Sequence, residues 1–175
     1  MKKTLIILAH PNIAESRLNK TLLQELNDNQ NVTIHDIYAT YHVAENIDVA
    51  KEQALLVSHD RIIFQFPLYW FSTPSLLKEW QDKVLTYGFA YGSEGNQLAN
   101  KEFKVVVTTG GAQSQYQEAF AIDNFLLPFQ GTAFFTQMLY TPAFAVYKAL
   151  EITDEALSEK ALEYKALLAQ ESWSV

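Results

Sequence analysis

The chain contains no cysteine among its 175 residues, which excludes thiol catalysis, disulfide bonds and thiolate metal ligands together. Histidine is then the main nitrogen ligand for a metal, and only four are present. His42 and Glu45 lie close in sequence but lack a third ligand at a suitable spacing, so we expect no metal site. A chain without cysteine suits the reducing cytoplasm, and we predict a cytoplasmic location.

Positive charge is also scarce. Thirteen Lys and Arg residues stand against 20 Asp and Glu residues, which gives a formal net charge of −7. Such a chain lacks the positive field that attracts nucleic acid, so no nucleic-acid partner is expected. No long apolar run is present either: the stretch at 4–9 is far shorter than the ~18 residues of a membrane span, and His10-Pro11 follows it instead of a cleavage site.

Glycine is limited to six residues, and neither the Gly-rich phosphate loop nor the G-x-G-x-x-G dinucleotide motif is present. What the chain does have is a composition typical of a folded protein, with 49% hydrophobic and 19% charged residues. Its length predicts one domain spanning residues 1–175.

Short runs rich in Val, Ile and Phe alternate with longer helical patterns. The strands are predicted at 5–9, 32–37, 61–66, 103–109 and near 133–139. Helices are predicted after Ser16, at 49–58, at 75–85, around 122–130 and from Thr153 onward. This alternation predicts an α/β fold, an open doubly wound sheet of five parallel strands with helices on both faces.

Ligands of doubly wound sheets bind outside the carboxyl ends of the strands, where the strand order reverses. The first loop at such an end, residues 10–19, offers His10, Ser16, Arg17 and Asn19 beside a helix start, which is the outline of an anion site. The alternative is an ordinary loop with a capping serine.

Two further loops follow strand ends. Residues 67–74 include the consecutive aromatics Tyr69, Trp70 and Phe71, which suit either a flat ring ligand or a contact with a neighbouring loop or subunit. Residues 108–116 include Gly110-Gly111, where the backbone can closely approach a ligand or simply turn. Because all three loops come from strand carboxyl ends, we expect them to form one site.

The motifs LAHP at 8–11, FPLYWFSTP at 66–74, FAYG at 89–92 and TTGG at 108–111 follow one another along nearly the whole chain. In this order they resemble the flavodoxin-like NAD(P)H:quinone oxidoreductases. The length is similar to that of the short bacterial members. These include the ancillary flavoprotein of glutathione-gated potassium-efflux systems and the general-stress NAD(P)H oxidoreductases.

The resemblance implies a flavodoxin-like fold and three groups of flavin-binding residues. The phosphate and ribityl end would be held by His10, Ser16, Arg17, Leu18 and Asn19. The isoalloxazine would be surrounded by Pro67, Leu68, Tyr69, Trp70 and Phe71. The pyrimidine edge would contact Thr108, Thr109, Gly110 and Gly111. Backbone N–H groups there would stabilise the negative charge of the reduced flavin.

The resemblance also implies the reaction. NADH or NADPH would donate hydride to the flavin, which would pass two electrons to a quinone-like acceptor, with Tyr116 stabilising the charge that moves. A histidine that assists in the family is replaced by Ile122, which puts that proton relay in doubt. The long C-terminal extension of the larger FAD-dependent relatives is missing, which favours FMN over FAD.

A two-fold homodimer whose paired surfaces complete each flavin site is implied as well. Two alternatives stay open. The chain could be a regulatory flavoprotein that binds a membrane potassium-efflux transporter, with incidental reductase activity. It could also be a one-electron carrier of the flavodoxin type, which the absence of a Thr/Ser-rich phosphate loop disfavours.

Overall fold

The computed structural model describes residues 2–173 and contains a five-stranded sheet. The strands are β1 (Thr4–Leu8), β2 (Val32–Asp36), β3 (Arg61–Pro67), β4 (Glu102–Thr108) and β5 (Leu139–Val146). The helices are α1 (Arg17–Gln24), α2 (Ile37–Tyr41), α3 (Val49–Val57), α4 (Ser75–Val84), α5 (Ile122–Phe125), α6 (Leu127–Phe135) and α7 (Asp154–Ala169). The predicted domain also includes Met1, Ser174 and Val175, which lie outside the described residues.

All neighbouring strands pair in parallel, in the order β2-β1-β3-β4-β5. This is the strand order of flavodoxin-like doubly wound sheets, and the predicted fold class is confirmed. The order reverses between β1 and β3, because the chain first moves from β1 to β2 and then crosses to the other side of β1. The loops after β1, β3 and β4 therefore meet at one edge of the sheet.

Two apolar cores cover the two faces of the sheet. Because side chains alternate along a strand, Leu5 and Ile7 of β1 belong to one core while Ile6 and Leu8 belong to the other. The first core packs beneath α2, α3, α4 and α6, and the second beneath α1 and α7. Burial on both faces explains why the central strands have near-continuous apolar runs.

The last predicted strand is wrong. Residues 133–139 mostly lie in and just after α6, which begins with Pro128 in its first turn, and the fifth strand is Leu139–Val146. Phe134 and Phe135 favoured a strand by their type, yet they lie on the outer side of α6 and are 86% and 61% exposed. The actual strand contains Pro142, which an edge strand tolerates because one side of its backbone has no ladder partner.

Candidate functional site

A cleft of about 310 Å³ lies where the strand order reverses, which we call the switch-point cleft. Its lining residues come from the loops after β1, β3, β4 and β5 and from the start of α1. The predicted residues that line it are His10, Ser16, Arg17, Leu18, Asn19, Pro67, Leu68, Tyr69, Thr108, Thr109 and Gly110. Its volume lies within the ~300–1,000 Å³ of small-molecule and cofactor sites.

The start of α1 forms one wall of this cleft. Ser16 is the N-cap residue, and its hydroxyl oxygen accepts a hydrogen bond from the Asn19 backbone N–H. The backbone N–H groups of Arg17 and Leu18 have no partner within the helix, since they belong to its first turn. Together with the helix dipole they favour a bound anion. The Arg17 guanidinium forms an ion pair with Asp154 at 2.5 Å on the surface.

His10 follows β1 and is partly buried. Its Nδ1 accepts a hydrogen bond from the backbone N–H of Asn12 at 3.1 Å, so the neutral ring carries its proton on Nε2. Burial lowers the pKa of His10, and the field of Asp36 only partly opposes that effect. The ring is therefore a neutral donor at physiological pH in the unliganded protein.

The loop after β3 makes a tight turn at Tyr69–Ser72, closed by two backbone hydrogen bonds of 3.0 Å. Its two central residues, Trp70 and Phe71, have φ angles of 47° and 60°. Bulky side chains rarely adopt this left-handed region, which costs about 1–3 kcal/mol per residue. The turn holds Trp70 at 93% exposure, while Phe71 packs on Phe125 with ring centroids 5.0 Å apart.

The double glycine follows β4 at the other side of the cleft. A Cβ added to Gly110 would meet nothing within 4 Å, so this position borders open space. A Cβ added to Gly111 would lie 2.4 Å from the Gln115 side-chain oxygen and 3.3 Å from the Tyr116 hydroxyl. Gly111 therefore allows the 113–116 segment to fold back over the turn. The Thr109 hydroxyl donates to the Gly111 carbonyl at 2.9 Å and helps to hold this shape.

Four of the predicted residues are not among those that line the cleft: Trp70, Phe71, Gly111 and Tyr116. The Tyr116 ring lies against Tyr147, with centroids 5.7 Å apart. Ile122, at the position of the family histidine, packs against the apolar core at the start of α5. The roles assigned to these residues from the sequence therefore stay predictions.

Sequence reasoning missed Glu15, Ala149 and Leu150, which also line the cleft. The last two lie in the loop after β5, which the misplaced fifth strand concealed. The signal that could have found them is the β-type run around Pro142, read as an edge strand.

Within residues 2–173, no helix is both long and apolar enough to cross a bilayer. In the same part of the chain, no three His, Asp or Glu side chains lie close enough to hold a metal ion together.

A parallel sheet in this order, with a cleft at its switch point, defines a flavodoxin-like protein. At the sequence level the chain belongs to the flavodoxin-like fold family, which it matches over residues 2–168. It is 43% identical over 166 residues to a Bacillus subtilis protein named as an uncharacterized NAD(P)H oxidoreductase, covering 93% of this chain and 84% of the relative. It is 42% identical over 171 residues to the glutathione-regulated potassium-efflux system ancillary protein KefG of Salmonella paratyphi B, covering 95% and 93%.

Solved structures resemble this one closely. General stress protein 14 from Treponema denticola, in complex with FMN, has a TM-score of 0.88 and 39% identity, covering 95% of this chain and 97% of its own. An NADPH-quinone reductase from P. pentosaceus has a TM-score of 0.86 and 36% identity, covering 97% and 99%. A chain described as a Streptomycin violaceusniger tryptophan halogenase has a TM-score of 0.91 and 42% identity, covering 96% and 99%. Since one fold carries several names, the reaction has to be argued from the site.

Proposed function

We propose that this chain is an FMN-dependent NAD(P)H oxidoreductase that passes two electrons to quinones or similar aromatic acceptors, working as a single flavin-binding domain. The observation that carries the proposal is the switch-point cleft, around which three separately predicted loops meet. The close relatives named NAD(P)H oxidoreductase and NADPH-quinone reductase support the reaction, and the FMN complex of a 39% identical protein supports the cofactor.

The residues present fit FMN. Free N–H groups at the start of α1 and the neutral donor His10 suit a phosphate ester, while Tyr69, which lines the cleft, and the exposed Trp70 next to it in the chain are available to a flat ring. Open space at Gly110 lets the backbone approach the ring edge. Bound FMN would supply two-electron redox chemistry between NADH or NADPH and the acceptor.

The protein's own part is positioning and electrostatics. The loops at 67–71 and 108–111 would hold the ring between a backbone edge and an aromatic turn. The Tyr116 hydroxyl lies near Gly111, from which it would stabilise developing negative charge by donating a hydrogen bond. Replacing Tyr116 with Phe should slow reduction by NADPH in stopped-flow measurements without weakening FMN binding, and equal rates would remove Tyr116 from the mechanism.

A homodimer is part of the proposal. Exposed aromatic side chains lie at Tyr87 and at Phe134 and Phe135 on α6, and the half-buried Tyr91 connects them, with its ring 5.0 Å from that of Phe135. Aromatic residues are enriched in protein interfaces. Phe134→Asp should convert a dimer into monomers in analytical ultracentrifugation, whereas the wild-type protein sedimenting as a monomer would contradict the dimer.

The second candidate is a regulatory flavoprotein of a potassium-efflux transporter, favoured by the 42% identity to the ancillary protein. This candidate would use the same flavin site, but its reductase activity would be incidental to the regulation of the transporter. The cytoplasmic location also stays a prediction.

The direct test is spectroscopic. The purified protein is mixed with FMN or FAD, freed of excess flavin, and titrated with NADPH or NADH without oxygen. We expect retained FMN that is bleached by one equivalent and reoxidised by 1,4-benzoquinone. Failure to retain flavin would overturn the proposal, and retained flavin that neither nucleotide reduces would favour the regulatory or electron-carrier alternatives.

A further inference from the structure

A chain of buried polar side chains runs from the last helix to the wall of the switch-point cleft. Tyr164 on α7 donates its hydroxyl hydrogen to Gln65 Oε1 at 3.2 Å. Gln65 on β3 donates from Nε2 to Asn19 Oδ1 at 3.3 Å. Asn19 on α1 donates from Nδ2 to Ser16 Oγ at 3.3 Å and to Thr108 Oγ1 at 3.0 Å. All five residues are buried, and Gln65 and Tyr164 are 0% exposed.

The donors and acceptors fix the direction of this chain. A tyrosine hydroxyl that is fully buried keeps its proton, because burial raises the pKa of Tyr164. It therefore holds the Gln65 amide with Oε1 toward α7 and Nε2 toward Asn19. Gln65 in turn holds the Asn19 amide with Oδ1 inward, so that both Nδ2 hydrogens are directed at the hydroxyl oxygens of Ser16 and Thr108.

The two hydroxyls are consequently left as donors. Ser16 Oγ accepts from both the backbone N–H and the side-chain amide of Asn19, which occupies its two lone pairs. Thr108 Oγ1 accepts from the same amide. Within residues 2–173 neither hydroxyl donates to a protein acceptor, and both residues line the cleft. Their hydrogens are thus available to a ligand.

We propose that Gln65 and Tyr164 are positioning residues that make the cleft select the phosphorylated form of the flavin. They act through Asn19, whose fixed orientation leaves the hydroxyl hydrogen of Ser16, at the phosphate end of the proposed site, to donate toward a ligand that accepts. A phosphate ester presents acceptor oxygens only, and hydrogen bonds to a charged acceptor are the stronger ones. This inference rests on the proposed FMN function. If the Asn19 amide were reversed, its Oδ1 would accept from the hydroxyls and withdraw their hydrogens from the cleft.

The test compares FMN with riboflavin, which has the same ring and ribityl chain but no phosphate. The Kd of each is measured by quenching of flavin fluorescence on titration with flavin-free protein. Gln65→Glu keeps the size and the acceptor for Tyr164 but removes the donor to Asn19. The double variant Gln65→Met with Tyr164→Phe removes the relay and introduces no buried charge. It leaves only Asn19 without its donor, so it serves as the second variant if the carboxylate is not tolerated.

In both variants we expect the preference for FMN over riboflavin to fall about tenfold or more, the size expected for lost hydrogen bonds to a charged group. Gln53→Met is the matched control. It removes a different glutamine, one that is partly buried and donates to the Val84 carbonyl and the Thr86 hydroxyl, and it should leave the preference unchanged.

The outcomes separate the two proposals. Equal losses of FMN and riboflavin affinity would show that the relay is merely structural, and an unchanged preference would overturn the inference, while FMN binding by the wild-type protein would still support the proposed function. A wild-type protein that binds neither flavin would overturn the proposed function and this inference with it.

Discussion

The two ends of the sheet both bury polar side chains, but they use them differently. At the amino ends of the strands, Arg61 and Glu102 form an ion pair at 2.6 Å, and Arg61 also donates to the carbonyls of Leu168 and Gln170. Its guanidinium lies 4.5 Å from the centre of the Trp173 ring. At the carboxyl ends, the hydroxyls of Ser16 and Thr108 keep hydrogens that no described residue accepts.

The pKa values of the buried groups at the amino ends reflect how these groups interact with one another and with the apolar core. Burial alone would raise the pKa of Glu102, but hydrogen bonds from Ser172, Trp173 and Arg61 outweigh it and lower the pKa to about 2. Burial lowers the pKa of the neighbouring Lys104 amine to about 8, although the charge of Glu102 opposes this. Polar groups that satisfy one another stabilise the fold, whereas the donors at the other end remain available to a ligand.

The largest expected effect comes from removing the buried ion pair at the amino ends of the strands. Arg61→Ala would leave Glu102 with less compensation and two carbonyls without donors, so it should lower the free energy of unfolding by about 3–5 kcal/mol. Arg17→Ala is the matched control at the other end, where the ion pair with Asp154 is exposed and contributes about 0–1 kcal/mol. Urea denaturation measures both, and equal losses would contradict the comparison.

The second largest expected effect is a loss of stability in acid, which would act through Glu102 at the amino ends of the strands. The folded pKa of Glu102, about 2, lies below its ordinary value of 4.5, so the unfolded state takes up the proton first. The stabilisation is complete above about pH 4.5 and is lost as the pH falls toward 2. Denaturation midpoints measured across this range should fall less steeply in Glu102→Gln than in the wild type. Parallel curves would show that Glu102 is not responsible.

The cleft end should respond in binding rather than in stability. Gly110→Ala adds a methyl group that meets no protein atom within 4 Å, so stability should hardly change. The methyl group would occupy space that the flavin needs, and FMN affinity should fall about tenfold, which is about 1.4 kcal/mol. Gly131→Ala on α6 also meets nothing within 4 Å and should leave the Kd for FMN unchanged. Wild-type affinity in the Gly110 variant would place the ring elsewhere.

The smallest expected effect concerns the strained turn. Trp70→Asn replaces an exposed aromatic side chain at φ 47° with a residue that tolerates this conformation, and it should raise stability by about 1 kcal/mol. It should also weaken FMN retention through lost contact with the ring. Tyr87→Asn, another exposed aromatic without positive φ, should bring no gain in stability. A destabilised Trp70 variant would show that the turn is not strained.

Much of the fold follows from local sequence. The first four strands were predicted within one residue at each end, because strands covered on both faces have continuous apolar runs. The edge strand was missed because it is only partly buried and contains Pro142, while the aromatic residues of α6 imitate a strand. The three loops of the candidate site could be located from sequence, since parallel connectivity places them at one edge.

The sequence by itself therefore determined the class of fold, the strand ends that form the cleft and the residue types around it. Only the tertiary structure decided the left-handed turn at Trp70, the contribution of Ala149 and Leu150, and the relay from Tyr164 through Gln65 to Asn19. The reason is physical. Strand and helix patterns depend on neighbours along the chain, whereas the direction of a hydrogen bond depends on partners 46 and 99 residues apart, which no local pattern encodes.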